Sequence, residues 1–187
     1  MSSAVLDACV LYSALLRDFL LRLAEDNLFS PFWSEEIRSE WIYNLLRNRS
    51  DLRRENLART CREMDFYFPR SLIRDYESLI PTLQLPDSND RHVLAVAIHA
   101  KAEYIVTFNL NDFPNAALKQ YGIEAISPDE FVVRLIQESP YAFLRAVKKH
   151  RLSLTRPPKT VEEYLATLEK QGLAQTVAFL REHKDNI

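Results

Sequence analysis

The chain has 187 residues, 47% apolar and 27% charged, with a formal net charge of −2 and two cysteines. That composition builds one domain with a real core, and no segment approaches the roughly 18 uninterrupted apolar residues of a membrane span. Cys9 and Cys61 make neither a disulfide framework nor a metal cluster by themselves, and the N-terminus lacks a signal-peptide pattern, so a reduced, cytoplasmic protein is expected.

In chain order, Ala4–Leu6 reads as a first strand, followed by a helix through Leu11, Leu15 and Phe19–Leu23. Asn27–Trp33 reads as a short second strand that Pro31 places at a sheet edge. Ser34 caps a helix with Ile37, Trp41, Leu45 and Leu46 on its apolar side, and residues 51–83 read as helical with a break near Phe68-Pro69. PDSND, residues 86–90, is a turn and cap cluster before a helix over Asp90–Ala102, whose stripe is Val93, Leu94, Ala97 and Ile98. Tyr104–Thr107 and Ile123–Ile126 are further strands, and Ser127-Pro128-Asp129-Glu130 opens the next helix as a capping box. The alternation predicts an α/β class with a mostly parallel sheet. It stops near Gln137, and residues 138–187 read as a helix, a Pro-Pro hinge and two helices separated by Gly172. The expected organisation is therefore a domain over 1–137 and a basic helical extension over 138–187 that docks on it.

The carboxylates fall in a pattern. Asp7 ends the first strand, and open α/β sheets bind ligands outside such strand ends. Asp90 lies on the line of its helix's apolar stripe, Glu40 borders the stripe of its own helix, and Asp112 follows the third strand with Asn109 between. Any one of them alone is a plausible turn or cap residue. Together they form an acidic cluster with no lysine or arginine to offset it, and burying such a cluster unpaired costs several kcal/mol. A bound cation resolves that cost, and all-oxygen donors favour Mg²⁺ or Mn²⁺ over Zn²⁺. Such an ion suits phosphodiester chemistry. His92 and His99 lack the spacing of a zinc pair, Cys9 reads as a small buried hydrophobe, and the Trp33–Trp41 pair reads as core or partner surface. With glycine only at positions 122 and 172, no phosphate-cradling loop is available.

Charge is distributed unevenly, −6 over residues 1–138 and +4 over residues 139–187. Basic clusters at Arg47–Arg62 and Arg145–Lys159 can neutralise phosphates, with Arg47, Lys148, Lys149 and Arg151 as candidate contacts and Arg91 flanking the acids.

AVLDACVLYS, the SEEIRSEW helix, DSNDRHVLAVAIHAKAEYIVTFNLNDFP and the strand before SPDEF resemble a PIN domain over roughly residues 1–137. More closely they resemble the VapC-type toxins of bacterial toxin–antitoxin pairs. The resemblance implies a three-layer α/β/α fold and an Mg²⁺- or Mn²⁺-dependent ribonuclease that leaves a 5′-phosphate and a 3′-hydroxyl. It implies that Asp7 is the first-strand metal ligand, Glu40 the helix acid, Asp90 the third acid and Asp112 a candidate fourth, with Thr107 at the family's hydroxyl position. This sequence departs from the pattern at Asn109, where many members carry aspartate, so either Asp112 completes the site or Asn109 is a weak ligand. A tRNA or ribosomal RNA target, a cognate VapB-type antitoxin and a homodimer are also implied, and exposed apolar surface on helix 35–48 and segment 66–83 offers a place to receive an antitoxin helix. Two alternatives remain: a non-toxin PIN nuclease of RNA processing, and an RNA- or protein-binding adaptor that has lost catalysis.

Overall fold

A computed structural model describes all residues, 1–187. The elements run β1 (Ser2–Leu6), α1 (Ala8–Tyr12), α2 (Ala14–Glu25), β2 (Phe29–Phe32), α3 (Glu35–Asn48), α4 (Arg54–Tyr67) and α5 (Arg91–Ala100). They continue with β3 (Tyr104–Val106), α6 (Asn115–Leu118), β4 (Glu124–Ile126), α7 (Pro128–Glu138), α8 (Pro140–Ser153), α9 (Val161–Glu169) and α10 (Ala174–Glu182). The four strands form one parallel sheet in the order β2-β1-β3-β4. Ala4, Val5 and Leu6 are fully buried, as a central parallel strand covered on both faces must be. The result is a three-layer α/β/α fold with additional C-terminal helices.

The order leaves β1 and β3 in the middle, so the loops after them open side by side at one edge. Parallel pairing carries on past both strands: the Asp7 N–H donates to Val106 O at 3.1 Å and the Thr107 N–H to Ile126 O at 3.0 Å. β2 is an edge strand, which tolerates the missing N–H of Pro31. Ser34 caps α3, its hydroxyl accepting from the Ile37 N–H at 3.2 Å, and Ser127 and Glu130 form the capping box of α7. Trp33 and Trp41 are both core residues, and the buried Arg17 guanidinium lies 4.5 Å from the Trp41 ring centroid.

Three expectations need correction. The helix after β1 is two helices, broken at Ser13, whose hydroxyl accepts from the Leu16 N–H and so starts α2 afresh. Leu15 falls on the exposed side of that new helix. Residues 51–83 break where expected, α4 ending at Tyr67 just before Phe68-Pro69, but the chain beyond does not resume a helix there: it runs beside Trp33, with the Trp33 N–H donating to Ser71 O and the Ile73 N–H to Trp33 O. A short 3₁₀ turn over Glu77–Thr82 follows.

The C-terminal helices do not stand apart. Leu165, Leu168, Val177 and Leu180 belong to the same buried apolar cluster as β1. No helix is long and apolar enough to cross a membrane.

Candidate active site

Asp7 stands one residue beyond β1 and has two duties. Its Oδ1 accepts from the Ala8 N–H at 2.6 Å, which caps α1, while its Oδ2 accepts from the Thr107 hydroxyl at 2.6 Å and the Cys9 thiol at 3.1 Å. A carboxylate with donors on both oxygens cannot rotate freely, so the paired ends of β1 and β3 fix its direction. Thr107 is fully buried, and its oxygen also accepts from the Asn109 N–H at 3.0 Å. It therefore acts on Asp7 and does not reach the cleft.

Asp90 precedes α5 and its side chain makes no capping hydrogen bond, so helix capping does not account for its carboxylate. Glu40 projects from α3, and its Oε1 accepts from His92 Nε2 at 3.3 Å. Asp7, Glu40, Asp90 and Asn109 line one cleft of about 590 Å³ together with Cys9 and the far end of α3. Three acids read from separate stretches of sequence thus converge outside the C-terminal edge of the sheet.

The electrostatics follow from that crowding. Burial and then the negative charges of Asp7, Asp87, Asp112 and Glu40 push the Asp90 carboxyl up to about 6. No lysine or arginine lines the cleft. Burial works against a charged His92, but the hydrogen bond to Glu40 and the charges of Glu40, Glu36 and Asp7 outweigh it and hold its pKa above the usual value. Burial, then the Asp7 charge, pushes the Cys9 thiol up to about 12, so at neutral pH it is a donor to Asp7 and no nucleophile.

The donor set fits a hard divalent cation: carboxylates and one amide oxygen, in a cleft whose acids repel one another. No three histidine, cysteine or acidic side chains converge into a ready-made cage. Such a site suits an ion that keeps several waters and takes few protein ligands.

Asp112 is not a lining residue. It closes a 3₁₀ turn over Leu110–Asp112, and its charge is felt at Asp90 from outside the cleft, while Asn109 occupies the wall. None of the five basic candidates lines the cleft either. Arg91 donates to Ser88 O at 2.9 Å, Lys149 pairs with Asp26 at 2.8 Å, and Arg151 donates to Lys159 O and Ile187 O. Arg47 and Lys148 are exposed.

Two residues carry more than the sequence assigned them. His92 is buried against Glu40 rather than idle beside Asp90, and Cys9 is a half-buried donor to Asp7 rather than a core hydrophobe. The sequence held a signal for only one of them. Cys9 is two residues from Asp7, whereas the His92–Glu40 contact spans 52 positions.

Comparison with known proteins agrees with the geometry. The PIN domain family (PIN_3) matches residues 3–111, more than half the chain, and the VapC50 C-terminal domain family matches residues 128–182. A Mycobacterium tuberculosis protein named "Putative ribonuclease VapC50" is 57% identical over 44 residues, a stretch covering 24% of this chain and 26% of that protein. The match thus spans about a quarter of that relative's length. No solved structure matches. The fold, the acidic cleft at the sheet edge and the family match over residues 3–111 lead to one statement: this chain belongs to the PIN domain family.

Proposed function

We propose that the protein is a divalent-metal-dependent endoribonuclease of the VapC toxin type. The observation that carries this reading is the convergence of Asp7, Glu40 and Asp90 on one cleft without a lining cation. Asp7 and Asp90 would hold Mg²⁺ or Mn²⁺, with Glu40 and the Asn109 amide oxygen at the margin and Asp112 adding negative potential from outside. A cation there would lower the pKa of an attacking water and offset charge developing on the scissile phosphate. Thr107 and Cys9 hold the Asp7 carboxylate in one orientation. Glu40, steadied by His92, would orient the water and take its proton. The products are a 5′-phosphate and a 3′-hydroxyl.

RNA of the tRNA or ribosomal class is the proposed substrate, and the exposed Arg47, Lys148 and neighbouring cations would position its backbone without reading sequence. A VapB-type antitoxin is the proposed partner, received where Phe66 and Tyr67 stand exposed at the end of α4. A homodimer in the cytoplasm, and a division after residue 137 into a nuclease domain and a helical extension, belong to the same proposal. Asn109 in the cleft wall, with Asp112 outside it, favours one other reading: an adaptor that binds RNA or protein without cutting. The test is cleavage of total RNA by the purified, antitoxin-free protein in Mg²⁺ or Mn²⁺. Asp7→Ala, Asp90→Ala and EDTA should each nearly abolish it while the circular dichroism spectrum is unchanged. An intact wild type that neither cuts RNA nor takes up metal by calorimetry would establish the adaptor.

A further inference from the structure

The acids occupy only one end of the cleft. The other end is built by α3, whose positions 40, 44 and 48 fall on one face at helical spacing with Tyr43 beside them. Glu40 belongs to the acidic end, and Asn44, Asn48 and Tyr43 continue the wall away from it, with Tyr12 from the end of α1 opposite. Along the helix axis Asn48 stands about 12 Å beyond Glu40. This half of the cleft contains no charged side chain: it offers two phenol rings and two amides. Tyr43 is 62% exposed, and Asn44 and Asn48 are also open to solvent. The Asn48 amide N–H donates to the Tyr12 hydroxyl at 3.3 Å, which directs the amide oxygen of Asn48 elsewhere and ties the two walls together.

What such a surface can recognise follows from what it lacks. With no lysine or arginine, and three carboxylates adjoining, it does not select a phosphate. Flat aromatic faces beside groups that both donate and accept hydrogen bonds suit a planar, neutral, polar ring with donors and acceptors at its edge. A nucleobase is such a ring, and in RNA it is available only where the strand is unpaired. We propose that Tyr12, Tyr43, Asn44 and Asn48 form a nucleobase subsite, which holds an unstacked base of single-stranded RNA within a nucleotide or two of the scissile phosphate. The inference rests on the nuclease reading for its substrate, although base binding can be measured apart from cleavage.

The test uses the full-length protein in Ca²⁺, with fluorescent single-stranded homopolymeric RNAs and a matching abasic ribose-phosphate strand, read by anisotropy. Base-bearing strands should bind at least about fivefold tighter than the abasic strand. Tyr43→Ala and the Asn44→Ala/Asn48→Ala pair should each bring that preference close to unity while leaving abasic binding and the melting temperature unchanged. Tyr43→Phe, which keeps the ring, should retain most of it. Equal binding of abasic and base-bearing strands by wild type would overturn the subsite, as would a preference that survives both alanine variants. Antitoxin affinity lost in Tyr43→Ala, with base preference intact, would instead make this wall a protein-docking face and would also overturn it. RNA cleavage by wild type, assayed in parallel, decides the nuclease reading independently. Cleavage without base preference removes the subsite alone, and base preference without cleavage removes the nuclease alone.

Discussion

His92 is buried, its Nε2 faces Glu40, and its Nδ1 is buried without a hydrogen-bond partner, 3.7 Å from Glu36 Oε2. A ring that leaves one nitrogen unsatisfied to place the other on a cleft carboxylate is expected to matter more for that carboxylate than for packing. His92→Ala should therefore lower kcat for RNA cleavage about tenfold or more with KM nearly unchanged, a loss of roughly 1.4 kcal/mol in transition-state stabilisation. An equal rise in KM alone would instead make His92 part of substrate binding. Asp90 gives a pH prediction. Its carboxyl titrates near 6 in the folded protein against an ordinary value of 3.8. Between those values the folded state holds more protons than the unfolded state, so the metal-free protein loses stability as pH rises through that window. A divalent cation neutralises the repulsion only once Asp90 is ionised. Mg²⁺ should accordingly raise the melting temperature clearly at pH 8 and little at pH 5, as thermal scans with and without EDTA would show. At this scale the sequence was legible where a residue's role depends on its own element: Asp7 at a strand end and Asp90 on a helix's buried line. It was not legible for His92, because nothing local says that the side chain of Glu40 in α3 meets His92 in α5. Asn44 and Asn48 lay between these cases, one and two helical steps from an acid already singled out.

Among the elements, α7 illustrates how a local signal hides a distant one. Ser127-Pro128-Asp129-Glu130 is a capping box for α7 itself, and the structure bears that out. Yet Asp129, inside that first turn, also caps α10. Its Oδ2 accepts from the Gln175 N–H at 2.8 Å, and its Oδ1 accepts from the Thr176 N–H at 2.9 Å and the Thr176 hydroxyl at 2.8 Å. The backbone of α10 starts from Leu173 with no side-chain cap of its own, so its first donors depend on a residue in another helix. Asp129→Ala should destabilise the protein by about 2 kcal/mol, measured by chemical denaturation, whereas Glu130→Ala, which loses only the local half of the box, should cost well under half as much. Sequence patterning sees caps made within a few residues of the helix they serve, and this one reaches across more than forty positions. The break between α1 and α2 escaped for a different reason. No proline or glycine marks Ser13, and the apolar period runs on through it. The stop comes from Ser13 capping α2 and hydrogen-bonding Gln171 at the turn between α9 and α10, a partner visible only once the chain is folded.

For the molecule as a whole, the question is whether the C-terminal helices form a separable unit, and the contacts between α2, α8 and α9 bear on it. His150, buried in α8, places Nε2 3.0 Å from Asp18 Oδ2 in α2 and Nδ1 2.9 Å from the Tyr164 hydroxyl in α9. The His150 hydrogen bond, ahead of the opposing effect of burial, holds the Asp18 carboxyl below its usual range. Burial, then the Asp18 charge, drives the Tyr164 phenol far above its own, so it stays protonated and able to donate. The phenol can thus donate to Nδ1 while Nε2 donates to Asp18, a chain of bonds through one imidazole that ties three helices together. Phe19, at 5.7 Å from the imidazole centroid, closes the apolar side. Phe19 and Tyr164 belong to one continuous buried cluster of 48 apolar side chains that spans the sheet and the C-terminal helices, and His150 is buried beside them. Two domains joined by a linker would melt in two steps, the extension first. One shared core should melt in a single cooperative step, and a substitution at the junction should lower that step without splitting it. His150→Ala removes a buried ring and leaves Tyr164 and Asp18 without their partner, which should cost about 3 kcal/mol. Differential scanning calorimetry of wild type and His150→Ala should give one transition each, the second lower by several degrees. A second, earlier transition in the variant would mean that the extension is held on by this junction and little else. The cleft is then insulated from changes at the far end of the chain. A single transition means that loosening the C-terminal helices loosens the sheet edge that carries Asp7, so the basic extension and the acidic cleft are stabilised together.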